Sequence, residues 1–230
     1  SQREMAALRR GFRVARSVPE VDISALRCAS AAVAERRQAA LAIDAAFRDA
    51  GFLYVTGHGV DPGLTQVARD LSAAFFALGE ADKLKLELRA DTAYRGYQPL
   101  RMNVTKAVPD LHEGMDFYRD VEPGNLVDID GIFVPETAAV APELVGVNQW
   151  PEDVASLDEK LQRRTRELLR NAGIGGVQGY REFYNMYVDM MLALGSDIMR
   201  GVALGLDLPE RYFEKYYDRS FWVLRALRYP

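Results

Sequence analysis

Apolar residues recur at helical spacing in several stretches of the chain. Leu64, Val67, Ala68, Leu71, Phe75 and Leu78 trace the clearest stripe, which predicts an amphipathic helix after the Gly57-His58-Gly59 turn. Ala40, Ile43, Phe47 and Ala50 share one face of a helix expected from Ala31 to Asp49, with Ser30 as its cap and Gly51 as its stop. A very charged helix is expected over Glu152 to Arg170. A long one should follow from Tyr180 to about Leu204, with Phe183, Tyr187, Met190, Leu194 and Ile198 on one face. Glu80 to Leu86 reads as a short helical turn, and Leu208-Pro209-Glu210 starts a shorter helix with proline at an early position.

The strand signals are shorter. Val18 to Ile23 is extended, because Pro19 biases its neighbour away from helix. Phe52 to Thr56 reads as a buried strand, and Phe221 to Pro230 as a terminal one. Between Asp91 and Val121 helical periodicity is lost, and short strands are expected around Tyr94–Tyr97 and Met115–Asp120. Pro123 to Pro151 is a Pro/Gly-marked surface excursion, and Asn171 to Gly179 is a glycine-rich break. No internal repeat or low-complexity tract interrupts this order. The final strand has no later partner in the chain, which suggests that the fold continues beyond Pro230.

Composition narrows the chemistry. The 230 residues are 49% hydrophobic and carry 29 Lys+Arg against 33 Asp+Glu, a net charge of −4. That is globular composition with no electrostatic footprint for nucleic acid or an anionic membrane. Arg163, Arg164, Arg166 and Arg170 alternate with Glu159 and Glu167 on an ordinary solvated face. Ser1 to Arg16 is Arg-rich without the apolar core of a signal peptide, and no stretch is long enough to span a membrane. The single cysteine, Cys28, excludes an internal disulfide framework and fits a reducing, cytoplasmic location. Asn103-Val104-Thr105 matches a glycosylation sequon by chance in that setting.

There are only two histidines, His58 and His112. A site of two histidines and one carboxylate could hold a divalent metal. The spacing opposes it. Two residues after His58 stands Val60, two after His112 stands Gly114, and the adjacent Glu113 would point to the opposite face of a strand. His58 between two glycines reads as a turn residue and His112 as a supporting one. Gly173 to Gly179 lacks the preceding strand that a dinucleotide loop needs. Cys28 has no nearby histidine to activate it, and the aromatics and methionines of the long helix read as core.

Taken in order, several segments resemble the isopenicillin N synthase-like, 2-oxoglutarate/Fe(II)-dependent oxygenases. They are Val18-Pro19-Glu20-Val21-Asp22-Ile23, Ala46 to Val60, Phe75-Phe76-Ala77-Leu78, Arg95-Gly96-Tyr97-Gln98-Pro99-Leu100 and Asp110 to Phe117. Asn148-Gln149-Trp150-Pro151, Ala203 to Glu210 and Leu227-Arg228-Tyr229-Pro230 complete the series. Each is weak alone; eight in the right order are specific, and they span about residue 18 to the end.

The resemblance implies an α+β fold in which N-terminal helices pack on part of a double-stranded β-helix, or jelly-roll, core. It implies an N-terminal region over 1–150, an inserted helix and Gly-rich loop over 151–179, and a long helix and first core strand over 180–230. It implies an oxidoreductase using Fe(II), O2 and 2-oxoglutarate on a small-molecule substrate. In that family the iron-binding residues and the cosubstrate-gripping arginine follow the Arg-Tyr-Pro strand, so they are expected beyond Pro230, with no metal ligand in this chain. An oxidase that dispenses with 2-oxoglutarate, and a non-catalytic interaction module, stay open as alternatives. Tyr229 matches the family's Tyr-Pro tyrosine, which hydrogen-bonds a carboxylate; its other reading is a core tyrosine. Arg95 stands where some members bind substrate, or else is an exposed loop arginine. Tyr97 and Asp116 are further site candidates.

Overall fold

The computed structural model describes residues 17–129 and 132–230; the Arg-rich segment Ser1 to Arg16 lies outside them. In chain order the main elements begin with strand β1 (Glu20–Asp22), helix α1 (Val33–Asp49), strand β2 (Tyr54–Thr56), helix α2 (Pro62–Phe76) and strand β3 (Gly96–Gln98). A small hairpin of β4 (Val104–Thr105) and β5 (Val108–Pro109) leads to β6 (Glu113–Tyr118). A second hairpin joins β7 (Leu126–Ile129) to β8 (Ile132–Pro135). Helices α3 (Ala155–Asn171) and α4 (Tyr180–Gly205) follow, and β9 (Val223–Arg228) closes the series. This is a mixed helix-and-strand fold, as the apolar pattern predicts.

The chain forms two compact units. One comprises the described residues up to Val60 together with Met190–Asp218; the other comprises Asp61–Asp189 and Arg219–Pro230. The first unit buries Val21, Ile23, Leu26, Ala39, Ile43 and Ala46, with Leu194, Ile198 and Val202 of α4 against them. Its Gly57-His58-Gly59 turn needs glycine twice. Both glycines are left-handed (φ +64), and a Cβ would strike the Asp22 carboxylate at Gly57 and the Arg27 guanidinium at Gly59.

Three local expectations for this unit are corrected. Ser30 does not cap α1; its hydroxyl lies 3.2 Å from Cys28 Sγ, and Glu35 accepts the Ala32 N–H at 3.0 Å. The segment around β2 is not buried. Among the described residues it pairs with β1 alone, in parallel, and Phe52 and Tyr54 are exposed while Leu53 and Val55 carry the packing. No helix starts at Pro209. Asp207 is left-handed (φ +60) and Glu210 is paired with Arg36, so the helical turn begins only at Glu214, where Arg200 and Arg211 meet its carboxylate.

The second unit has an aromatic core. Phe117 stacks on Trp150 (4.4 Å, 17°) and lies near Tyr184 (5.7 Å), beside Phe75, Phe183 and Leu71. Helix α3 supplies part of this core's wall, because Leu157, Leu161, Leu168 and Leu169 are all buried in it at helical spacing. Strands β3, β6 and β9 form an antiparallel sheet in that order, with β6 central. This sheet positions the site.

Candidate functional site

Strand alternation gives the sheet two unlike faces. Met115 and Phe117 of β6, Tyr97 of β3, and Leu224 and Ala226 of β9 face the aromatic core. Gly114 and Asp116 of β6 stand opposite Gln98 and Gly96 of β3 and Leu227 and Arg225 of β9, on the other face.

The core face holds one carboxylate, Glu113, only 4% exposed. Lys83 Nζ reaches its Oε2 at 2.5 Å, the Tyr97 hydroxyl donates to the same oxygen at 2.6 Å, and Arg228 Nη1 donates to Oε1 at 2.8 Å. Burial pushes the Glu113 carboxyl up, but the bonds from Lys83, Tyr97 and Arg228 outweigh it and hold it below the usual glutamate range. Burial, reinforced by the Glu113 charge, raises the Tyr97 phenol well above its ordinary value. The phenol therefore stays protonated and acts as a donor.

The other face carries Asp116, with no exposed surface. Arg225 grips it with both prongs, Nε to Oδ1 at 2.6 Å and Nη2 to Oδ2 at 2.5 Å, and Gln98 Nε2 donates to Oδ2 at 2.6 Å. The network continues outward. Asn103 Nδ2 donates to Gln98 Oε1 at 2.6 Å and lies 3.2 Å from His112 Nε2. The His112 ring lies 5.5 Å from that of Tyr229. Tyr229 is 70% exposed. Beside it, a groove of about 660 Å3 runs between α2 and β9, lined by Arg69, Ser72, Tyr187, Arg228 and Tyr229 and by no acidic side chain. The rest of the lining is largely apolar, and two of its three arginines, Arg225 and Arg228, are paired with Asp116 and Glu113.

Of the four residues singled out from sequence, the structure places Asp116 and Tyr229 at opposite ends of one hydrogen-bonded and ring-contact chain. Tyr97 belongs to the opposite, core-facing side. Arg95 is fully buried rather than an exposed loop residue. Its Nη1 donates to the Ala93 and Leu144 carbonyls at 3.2 and 2.8 Å, and its Nη2 to the Arg119 carbonyl at 2.8 Å, which ties three loops together. Gln149 does similar work, donating to the Arg95 and Glu87 carbonyls at 2.7 and 3.2 Å. Asn148 exchanges two bonds with the Tyr118 backbone, its Oδ1 accepting at 2.9 Å and its Nδ2 donating at 2.7 Å. It thereby stands in for a strand partner.

Sequence reading missed Arg225, Gln98, Lys83 and Asn103. The available signal was the alternation Leu224-Arg225-Ala226-Leu227, which puts an arginine on the face opposite the core. His58 accepts the Val60 N–H on Nδ1 at 3.1 Å, as a turn residue should. Among the described residues no three His, Cys, Asp or Glu side chains converge to hold a metal, and no helix is long and apolar enough to cross a membrane. His112 and Asp116 carry donor atoms of the right type for a metal, but they are engaged by Asn103 and Arg225.

The family model described as non-haem dioxygenase in morphine synthesis, N-terminal, matches residues 18–153. A homoarginine-6-hydroxylase of Arabidopsis thaliana is 32% identical over 221 residues, 94% of this chain and 56% of the relative. One from Oryza sativa subsp. japonica is 34% identical over 189 residues, 82% of this chain and 47% of the relative. The crystal structure of a full-length Neurospora crassa protein in complex with alpha-KG superposes with a TM-score of 0.64 at 23% identity. That match covers 93% of this chain and 54% of the Neurospora chain, and it shows a shared fold. The chain thus spans about half the length of the relatives it matches.

Proposed function

The chain belongs to the non-haem dioxygenase family by its N-terminal region, and on that premise we propose that its protein is an Fe(II)- and 2-oxoglutarate-dependent oxygenase of a small organic substrate. The family match carries this reading, and the homoarginine hydroxylases and the alpha-KG-bound Neurospora protein support it. In this proposal β3, β6 and β9 are the beginning of a jelly-roll core. Residues 1–150 are the N-terminal region, 151–179 an insertion whose helix α3 has become part of the hydrophobic core, and 180–230 the lead into the catalytic half. The protein works in the cytoplasm, takes O2 as co-reactant and needs neither nucleic acid nor membrane.

The described residues do not fit an iron site. We therefore assign them no step at the metal, and place its ligands in sequence corresponding to the half of the relatives that this chain does not match. The part left to this chain is binding. Tyr229 offers a phenol donor to a carboxylate of cosubstrate or substrate at the rim of an acid-free groove. Asp116 and Arg225 hold the strand that presents it.

The test uses the full-length gene product with Fe(II), ascorbate and 2-oxoglutarate. Homoarginine is the first substrate to try, followed by other amino acids and small acids. Substrate-dependent succinate release is the expected result; none across the panel would remove the oxygenase reading. A second reading, a binding module, is favoured by the engagement of His112 with Asn103 and of Asp116 with Arg225, which commits both to structural bonds. Tight stoichiometric Fe(II) binding by residues 1–230 would exclude it and would contradict the ligand assignment above.

A further inference from the structure

The polar side chains between Asp116 and His112 form a chain in which each hydrogen-bond direction fixes the next. Gln98 Nε2 lies 2.6 Å from Asp116 Oδ2, and a carboxylate paired with Arg225 only accepts, so Gln98 must present its NH2 group there. Its Oε1 is then turned toward Asn103, which must offer its own NH2 at 2.6 Å. That same NH2 lies 3.2 Å from His112 Nε2. An amide nitrogen has no acceptor to give, so Nε2 accepts, and the neutral imidazole carries its proton on Nδ1. His58 is held the other way. Its Nδ1 accepts the Val60 N–H, which leaves its proton on Nε2. The two histidines of the chain are thus opposite tautomers.

Asn103 has a firm base from which to do this. Its carbonyl accepts the Asp110 N–H at 2.8 Å across the β4–β5 hairpin, and Thr105 Oγ1 donates to Asp110 Oδ2 at 3.0 Å. At the far end, the His112 ring meets the Tyr229 ring at 5.5 Å and 51°. Tyr229 is otherwise exposed, so this contact is what limits where its hydroxyl can point.

We propose that His112 is a positioning residue, fixed as the Nδ1–H tautomer by Asp116 through Gln98 and Asn103, whose ring sets the Tyr229 phenol for an incoming carboxylate. The last clause rests on the reading of Tyr229 given above; the tautomer and the ring contact do not.

The experiment is imidazole 15N and tyrosine-ring NMR on residues 1–230 at mildly alkaline pH, which favours the neutral imidazole over the imidazolium. One histidine should show a protonated Nε2 and the other, removed by His112→Phe, a protonated Nδ1. Asn103→Asp replaces the donor with an acceptor. It should convert His112 to the Nε2–H form, move the Tyr229 ring signals and leave His58 unchanged, the last serving as a check on folding. His112→Ala should move the Tyr229 signals further than His112→Phe, which keeps a ring there. A wild-type His112 protonated on Nε2, or Tyr229 signals that ignore both Asn103→Asp and His112→Ala, would overturn the proposal.

The ligand step is read separately, by titrating 2-oxoglutarate, and then a carboxylate substrate from the activity panel, into full-length protein. Asn103→Asp is expected to weaken the binding of one of them by about five- to tenfold, the scale of one misdirected hydrogen bond. Unchanged affinity for both overturns the positioning role. Equal affinity of wild type and Tyr229→Phe for both 2-oxoglutarate and the carboxylate substrate overturns the reading of Tyr229 itself, and leaves the tautomer assignment to stand or fall on the NMR result.

Discussion

The two faces of the β3–β6–β9 sheet each bury one carboxylate, three residues apart in sequence, and use it differently. Glu113 is closed off. Its three donors come from the turn after α2, from β3 and from β9, and two of them, Lys83 and Arg228, also reach the Phe76 carbonyl at 3.4 and 3.2 Å. The cluster therefore satisfies the C-terminal end of α2 while pinning β9 to β6. Asp116 is instead the inner end of a path. Its partners lead through Gln98 and Asn103 to His112 and an exposed tyrosine. A buried acid with cations around it is a clamp when every oxygen ends on the core side, and a director when one oxygen is bonded to an amide that passes the orientation on.

The largest expected effect is on the clamp. Glu113→Gln leaves Lys83, with 8% of its side chain exposed, facing a neutral amide. Removing one partner of a buried pair costs about 3–5 kcal/mol, and the lower end applies because Arg228 can turn to water. Urea denaturation of residues 1–230 measures it. A loss below that of Asp116→Asn would break the comparison. Asp116→Asn should cost less, about 1–2 kcal/mol, since Arg225 is 44% exposed and solvent screens what it loses.

The clamp should also show in acid. The folded Glu113 carboxyl titrates below the unfolded range, so its contribution is fully present above about pH 4.3 and drains away as pH falls through the lower folded value. Wild type should therefore lose stability across that window more steeply than Glu113→Gln. Parallel acid limbs would mean that Glu113 is not the group responsible.

The two faces were unequally legible in the sequence. The helical stripes of α2 and α4 rest on many large side chains, among them Leu71, Phe75 and Phe183, whose burial follows from period alone. The sites rest on cross-strand register. Nothing local says that Asp116 stands opposite Arg225, more than a hundred residues away, or that Lys83 finds Glu113. Arg95 shows the same limit from the other side. A guanidinium before Gly-Tyr fits a ligand carboxylate or a set of backbone carbonyls equally well, and only the fold brings Ala93, Leu144 and Arg119 to it. Gly96, beside it, is likewise explained only by the fold. Its φ of +119 and the closeness of the Leu86 carbonyl leave no room for a side chain.

The smallest stability effect belongs to Tyr229→Phe, matched with Tyr97→Phe so that each removes one phenolic oxygen from one face. Tyr97→Phe deletes a buried donor to a carboxylate that keeps two cations, so it should cost about 1–2 kcal/mol and leave ligand affinity alone. Tyr229→Phe deletes a hydroxyl on a side chain that is 70% exposed, so its stability should stay within about 0.5 kcal/mol of wild type. Its effect should fall instead on the KM for 2-oxoglutarate or for a carboxylate substrate in the full-length protein. The two variants thus predict crossed results, a stability loss without a KM change and a KM change without a stability loss. Since both remove the same atom from the same residue type, a crossed outcome assigns the difference to the face. If both lose stability alike and neither moves KM, the outer face is a second clamp and Tyr229 is no part of a binding site.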